Sequence, residues 1–147
     1  MGRLVKTSAD NAEDIVYTYN MYSQPETVTF GNEKTVFTYS PFGELTGKAV
    51  NNVNHSYGYD ADSILISYTM SKDNVQEVNM SYEYDGLNRL KAVISPLGRV
   101  RYTYDKANRL IDEENSYGVQ TSYDLYPSGN IRRITYQNNG NITDKLL

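Results

Sequence analysis

The segments YEYDGLNRL at residues 82–90 and YTYDKANRL at 102–110 spell one nine-residue pattern twice, twenty residues apart. A fixed period of that size makes this a repeat protein, and it bounds the fold before any single residue is weighed. With the second Tyr as position zero, the pattern recurs at Tyr19, Tyr39, Tyr59, Tyr84 and Tyr104, and Leu125 fills the slot in YDLYPSGNI. The steps are 20, 20, 25, 20 and 21 residues. Two positions earlier stands an aromatic in every copy: Tyr17, Phe37, Tyr57, Tyr82, Tyr102 and Tyr123. Four positions after zero comes a small or turn-favouring residue: Ser23, Gly43, Ser63, Asn88, Asn108 and Gly129. Six positions after it stands Leu45, Leu65, Leu90, Leu110 or Ile131, with Pro25 in the weakest, first copy. A partial copy, ITYQNNGNI, follows with Tyr136, Gly140 and Ile142.

Spacing within the unit dictates local structure. Aromatic, any residue, aromatic is period two, and the alternation runs back through Val78, Met80, Tyr82, Tyr84 and again through Val100, Tyr102, Tyr104. Those residues share one face of a strand. The other face of the second example reads Arg99, Arg101, Thr103, so one side of the sheet is expected to be wet. Between the Tyr and the Leu lie DGLN, DKAN, SPFG or YPSG, made of residues that open tight turns or accept positive φ. A second turn signal closes each unit: TFGNEKT at 29–35, SPLG at 95–98 and SYGVQ at 116–120. Two strands and two turns per unit predict an all-β chain, a meander of antiparallel hairpins with a period of about 20 residues. The 25-residue step contains SKDNVQE, read as an elongated turn. Helical periodicity is confined to the polar SADNAEDI lead-in, so residues 1–14 are set apart and 15–147 are assigned to the repeat domain.

At 147 residues the chain suits one domain whose core buries about two thirds of the unfolded surface. Fifteen Tyr, three Phe and no Trp make that core amphipathic. The six aromatics at one repeat position are expected to stack into a ladder, five pairs at roughly 0.5–1.5 kcal/mol each. On that footing Tyr102→Ala costs about 3–5 kcal/mol. A carbohydrate-binding aromatic strip is the sharper alternative for the same rings.

Asp60, Asp85 and Asp105 follow the second Tyr, where a carboxylate accepts hydrogen bonds from turn amides two residues on. Calcium is the functional alternative, but one Asp per repeat makes a weak cage, and no metal is assigned. Arg89 and Arg109 share their position with Gln24, Glu44, Ile64 and Asn130, which excludes a continuous basic stripe. Pairing with nearby acids or covering Tyr faces is expected of them.

The absence of cysteine removes disulfides, thiolate catalysis and Cys-based zinc sites. Net charge is -4, which gives no attraction to phosphate backbones or anionic lipid, so nucleic acid is not an expected partner. No run of 18 apolar residues and no signal-peptide pattern are present, so membrane insertion is not expected, and export would use a signal elsewhere or another route. The sole histidine, His55, is placed just before a strand as a surface or turn residue, and no catalytic residue or cofactor is assigned. Sequons at Asn54, Asn79 and Asn141 fit the glycosylation pattern at a frequency that chance produces in an Asn-rich chain.

YEYDGLNRL, YTYDKANRL and the degenerate YGYDADSIL resemble the tyrosine-aspartate (YD) repeats of bacterial Rhs proteins, toxin-complex shell subunits and animal teneurins. The resemblance covers residues 15–145, and its repeat positions are Tyr17, Tyr19, Phe37, Tyr39, Tyr57, Tyr59, Asp60, Tyr82, Tyr84, Asp85, Arg89, Leu90, Tyr102, Tyr104, Asp105, Arg109, Leu110, Tyr123 and Gly129. It implies a curved or spiral sheet of β-hairpins wrapping into a hollow shell. The implied function is a non-catalytic wall of a secreted or cell-surface protein that encloses or presents a toxin, effector or other polypeptide. Self-cleavage in the family uses an Asp-Pro motif, which this sequence lacks. Implied partners are a cargo polypeptide or neighbouring repeats of a larger shell, with self-association through sheet edges. Surface binding of carbohydrate or protein by exposed tyrosines is the alternative function.

Overall fold

The structure, a computed structural model, describes residues 3–8 and 13–146. It divides into two compact units, Met1–Asn79 and Met80–Leu147. The first carries β1 (Lys6–Thr7), β2 (Ile15–Tyr19), β3 (Pro25–Phe30), β4 (Glu33–Tyr39), β5 (Leu45–Val50), β6 (Val53–Tyr59), β7 (Leu65–Lys72) and the start of β8 (Val75–Tyr84). The second carries the end of β8, then β9 (Leu90–Ser95), β10 (Gly98–Tyr104), β11 (Leu110–Asn115), β12 (Val119–Leu125), β13 (Ile131–Asn138) and β14 (Asn141–Leu146). Hydrogen-bonded neighbours follow chain order, and the pairing is antiparallel. The all-β hairpin meander expected from period two is therefore what the chain forms. The lead-in contributes β1, which pairs with β2 through Lys6↔Val16 and Thr7↔Ile15, while residues 9–12 of its SADNAEDI segment lie outside the described residues.

Each motif makes the same turn. In the best-matched copy Asp105 N–H donates to the Arg109 carbonyl at 2.9 Å, and Asn108 N–H donates back to the Asp105 carbonyl at 3.1 Å. The residue four after position zero has positive φ in all six copies: Ser23 (67°), Gly43 (93°), Ser63 (62°), Asn88 (58°), Asn108 (63°) and Gly129 (93°). This is a type I turn followed by a left-handed residue, the three-residue hairpin loop whose twist suits the flanking strands. One residue beyond the turn is left unpaired. Thr103 pairs with Asp112 but Tyr104 with Leu110, so Ile111 is a bulge, and the same shift recurs between Thr38/Tyr39 and Gly58/Tyr59.

The 25-residue step corrects the expected elongated turn. Asp73 (φ 50°) and Asn74 (φ 64°) form a two-residue turn, and the extra residues lengthen β7 to 8 and β8 to 10 residues. Asn and Asp tolerate the two successive left-handed positions such a hairpin needs, so SKDN closes tightly where composition alone suggests a loop. His55 is likewise not before a strand but inside β6, paired with Lys48 and Met70.

Cross-strand register sorts the two faces. In the second unit Tyr102, Glu113, Thr121 and Tyr136 line up across β10 to β13, with Val100, Asn115, Val119 and Asn138 in the next row. The opposite face aligns Arg101 with Glu114 and Gln120, and Glu83 with Ala92 and Arg101. An Arg99–Glu83 ion pair joins β10 to β8, and Ala92, paired between Glu83 and Arg101, is 0% exposed. In the first unit the tyrosine face carries Tyr17, Val28, Phe37, Lys48, His55, Tyr57, Tyr68 and Met70, against Thr18, Thr27, Thr38, Gly47, Ser56 and Thr69 behind it.

Burial corrects the expected core. Ala92 is the fully buried hydrophobic residue among the described residues. Within each unit a sheet has two faces, and among the described residues the tyrosine face of each carries no second layer, so Tyr17, Phe37, Tyr57, Tyr82, Tyr102 and Tyr123 are half-buried by their neighbours.

Candidate functional site: the motif turns and their arginine clamp

Construction of the site starts from the carboxylate. Asp105 Oδ1 accepts from the N–H of Ala107 (2.8 Å) and of Arg109 (3.0 Å), which caps the turn. Its Oδ2 accepts from Arg109 Nε at 2.7 Å and Nη2 at 2.6 Å, a bidentate pair. Asp85 repeats the arrangement with Leu87, Arg89 N–H, Arg89 Nε and Arg89 Nη2. The Arg89 guanidinium holds the Asp85 carboxyl below the usual carboxylate range. For Asp105 the backbone N–H of Arg109 is the larger cause and its guanidinium the second. Both sequence expectations for the arginines are thus met together: each pairs its own turn's acid, and Arg89 also covers a ring.

That second contact reaches into the next repeat. The Arg89 guanidinium lies 4.7 Å from the Tyr104 ring centroid, and Arg89 Nη1 donates to Asn108 Oδ1 at 2.8 Å. Arg109 Nη1 donates to the Tyr126 carbonyl at 2.9 Å, with no ring contact because Leu125 replaces Tyr. In the first unit Gln24 Nε2 donates to the Gly43 carbonyl at 2.9 Å. At Gln24, Arg89 and Arg109 the fifth residue after position zero is therefore a clamp from one motif turn to the next, a role the apolar Ile64 at the same position cannot take. Spacing alone could not reveal this, because the residues that make the clamp differ in chemical type.

A second tie uses the position-zero phenol. Tyr104 Oη donates to the Leu90 carbonyl (2.9 Å), Tyr59 Oη to Leu45 (2.9 Å), and Tyr39 Oη to Pro25 (2.8 Å). Each bond runs one repeat back. Tyr19 Oη donates to the Leu4 carbonyl at 2.6 Å, while Arg3 lies 5.3 Å from the Tyr19 centroid and donates to the Asn20 carbonyl and Ser23 Oγ. Arg3-Leu4 therefore occupies the positions of Arg89-Leu90. Sequence reasoning keyed to aromatics missed it, although the dipeptide Arg-Leu was the available signal.

The expected ring-on-ring ladder does not form. Ring pairing among the described residues joins Tyr57 to Tyr68 (5.4 Å) and His55 to Tyr68 (6.0 Å), neither of which links successive repeats. Equivalent residues lie two strands apart, roughly 9–10 Å, beyond the reach of aromatic pairing. The intervening strand fills the gap: Phe37 faces Lys48, Tyr82 faces Val93 and Tyr102 faces Glu113. Burial raises the Tyr102 and Tyr123 phenols above their usual range, and Glu113, which accepts from Tyr123 Oη at 3.0 Å, adds to it.

His55 Nδ1 is 2.9 Å from Tyr68 Oη. Across the neighbouring strands it pairs with Lys48 and Met70, neither of them an acid. Asp60, Asp85 and Asp105 sit in separate turns, and among the described residues no three His, Cys, Asp or Glu gather as metal ligands. No helix among them is long and apolar enough to cross a membrane.

Comparison with known proteins follows the same outline. The RHS Repeat family model matches residues 84–120. No curated protein matches the chain. Among solved structures, TcdB2-TccC3-TEV superposes with a TM-score of 0.83 at 18% identity over 99% of this chain. TcdB2-TccC3 gives 0.77 at 17% identity over 91%. The Photorhabdus luminescens Tc holotoxin pore carrying the TccC3-D651A mutation gives 0.58 at 14% over 91%. This chain spans 9% of the length of each of those proteins. The chain thus resembles the Rhs/YD-repeat family in repeat sequence at residues 84–120, and over nearly its whole length it shares the fold of the TcdB2-TccC3 structures.

Proposed function

We propose that the chain is a non-catalytic wall segment of an Rhs-type shell, with residues 15–147 as its repeat domain, and that its tyrosine face lies against an enclosed or presented polypeptide. The observation that carries the reading is the uncovered face. A sheet held together by turn clamps and phenol-to-carbonyl ties stands without a core, with Ala92 as its fully buried hydrophobic residue. Such a wall leaves one amphipathic surface for something else to cover. The fold likeness to toxin-complex chains supports the wall, and a product outside the cell, secreted or surface-displayed, goes with it. The surface-binding alternative needs three adjacent open rings on the sheet. Tyr17, Phe37, Tyr57, Tyr82, Tyr102 and Tyr123 are half-buried instead; Phe30 (48%) and Tyr136 (42%) are the more open strand rings, one in each unit, and Tyr22 (74%), Phe42 (88%) and Tyr117 (67%) sit on turns.

The test places a photo-crosslinking amino acid at Tyr102 or at Thr103 in the complete gene product, the two residues lying on opposite faces of β10. Crosslinks from position 102 to a segment of polypeptide outside the repeats, and none from 103, are expected. Equal or absent crosslinking at both positions overturns the reading.

A further inference from the structure

One clamp position holds an anion where three others, Arg3, Arg89 and Arg109, hold a guanidinium. Arg3 reaches Asn20 and Ser23 under Tyr19, and Arg89 reaches Asn108 beside Tyr104. At the turn of residues 60–64 the reaching residue is Glu44, whose carboxylate is hydrogen-bonded by the hydroxyls of Ser40 (2.7 Å) and Ser63. Those hydroxyls hold the Glu44 carboxyl below its usual range, and the charge of Asp60 beside it opposes them weakly. Asp60 Oδ1 caps its turn through Asp62 and Ile64 N–H, but Ile64 occupies the place of Arg89 and Arg109. Among the described residues Asp60 Oδ2 therefore has no counterpart to the guanidinium that engages Asp85 and Asp105. Glu44, Asp60, Ser40, Ser63, Tyr57 and Tyr59 line a solvent-open trough of about 400 Å³.

We propose that this trough receives the side chain of an arginine from a separate polypeptide, reproducing in trans the contact that Arg89 and Arg3 make in cis. The two carboxylates supply the charge the visitor neutralises. Tyr59, its Oη fixed to the Leu45 carbonyl at 2.9 Å, supplies the ring face. The ligand class rests on an observation independent of the acids: the same repeat positions hold a guanidinium elsewhere in the molecule. Arginine is selected over lysine because a planar fork can engage both carboxylates while stacking on a ring, which a compact ammonium cannot. This inference does not depend on the shell reading.

The experiment titrates the full chain with a fluorescein-labelled peptide copying Gly86–Leu90 (GLNRL), and with versions carrying Lys or Gln in place of its arginine. Saturable anisotropy is expected for the arginine peptide, about tenfold weaker binding for the lysine version, and none for the glutamine version. Amide shifts should concentrate on residues 40–44 and 59–63. Glu44→Arg, which fills the trough in cis, should abolish binding, and Asp60→Asn should weaken it, with thermal melts verifying that both variants fold. Equal binding of the arginine and lysine peptides, binding of the glutamine peptide, or binding retained by folded Glu44→Arg would overturn the proposal.

Discussion

The Arg89 guanidinium lies 4.7 Å from the Tyr104 ring centroid while Tyr104 Oη donates to the carbonyl of Leu90, the residue next to that arginine. Two covalently adjacent residues of one repeat thus hold the ring and the hydroxyl of a single tyrosine in the next. The phenol cannot be exchanged for another aromatic without loosening the tie, and the arginine cannot be exchanged for lysine without losing the fork.

Tyr104→Phe keeps the ring under Arg89 and removes the bond to Leu90. A loss of about 0.5–1.5 kcal/mol is expected from one hydrogen bond. Tyr104→Leu, which copies the native Leu125, should lose in addition the ring contact, about 0.5–1 kcal/mol at an accessible site. A double-mutant cycle between Arg89→Gln and Tyr104→Leu, read by urea denaturation, isolates that coupling. A coupling energy indistinguishable from zero means that the guanidinium and ring are neighbours without an energetic tie.

Asn88 has φ 58° at the left-handed turn position, where an L side chain with a β-carbon is strained. Asn88→Gly should hold stability or raise it by up to about 1 kcal/mol, and Asn88→Ala should lower it by about 1 kcal/mol. The order Gly, Asn, Ala in denaturation midpoints checks the turn assignment. Ala at or above Gly contradicts it.

Legibility in the sequence followed physical range. Period two and the residue four after each Tyr are local signals, and both the shared face of Val100, Tyr102 and Tyr104 and the positive φ of Ser23, Ser63, Asn88 and Asn108 emerged as read. The clamp was invisible because Gln24, Glu44 and Arg89 share a reach but no chemistry. The stacking ladder failed on geometry. A repeat of two strands doubles the distance between equivalent rings, and a sequence read one residue at a time suggests them as neighbours. Arg3-Leu4 escaped because its unit lacks the aromatic pair used to find the others.

Acid should loosen the turns in a defined sense. The carboxyls of Asp85 and Asp105 titrate below their usual range in the fold, whereas in the unfolded chain they return to about 3.9. A folded value below the unfolded one means the unfolded state binds protons first, so the contribution is present above about pH 4 and disappears as pH falls through the folded values. Asp85→Asn with Asp105→Asn keeps an oxygen to cap each turn and removes the charge facing each arginine. Urea midpoints measured from neutral pH downward should fall less steeply for this variant than for the parent. Parallel acid limbs would show that other carboxyls set the pH dependence.

Tyr102 separates the isolated chain from the assembled wall. A six-ring ladder set the expected cost of Tyr102→Ala at about 3–5 kcal/mol, the range for a residue enclosed on all sides. In the chain alone Tyr102 is half-buried, facing Glu113 on the neighbouring strand, with no second layer over it among the described residues of its unit. Removing a half-covered side chain costs roughly 1–2 kcal/mol, about half the transfer value of full burial plus a small loss of packing. If a polypeptide covers the tyrosine face in the complete gene product, the same substitution there must also open a gap against that partner, and the larger figure returns. Tyr102→Ala is therefore to be measured twice, in this chain by urea denaturation and in the complete product by the shift in unfolding midpoint. Thr103→Ala on the opposite face serves as the reference in both. A cost for Tyr102 that grows in the complete product while that of Thr103 stays constant places the covering polypeptide on the tyrosine side. An unchanged cost in both contexts means this face remains open to solvent in the whole protein, and the wall would then carry its cargo elsewhere.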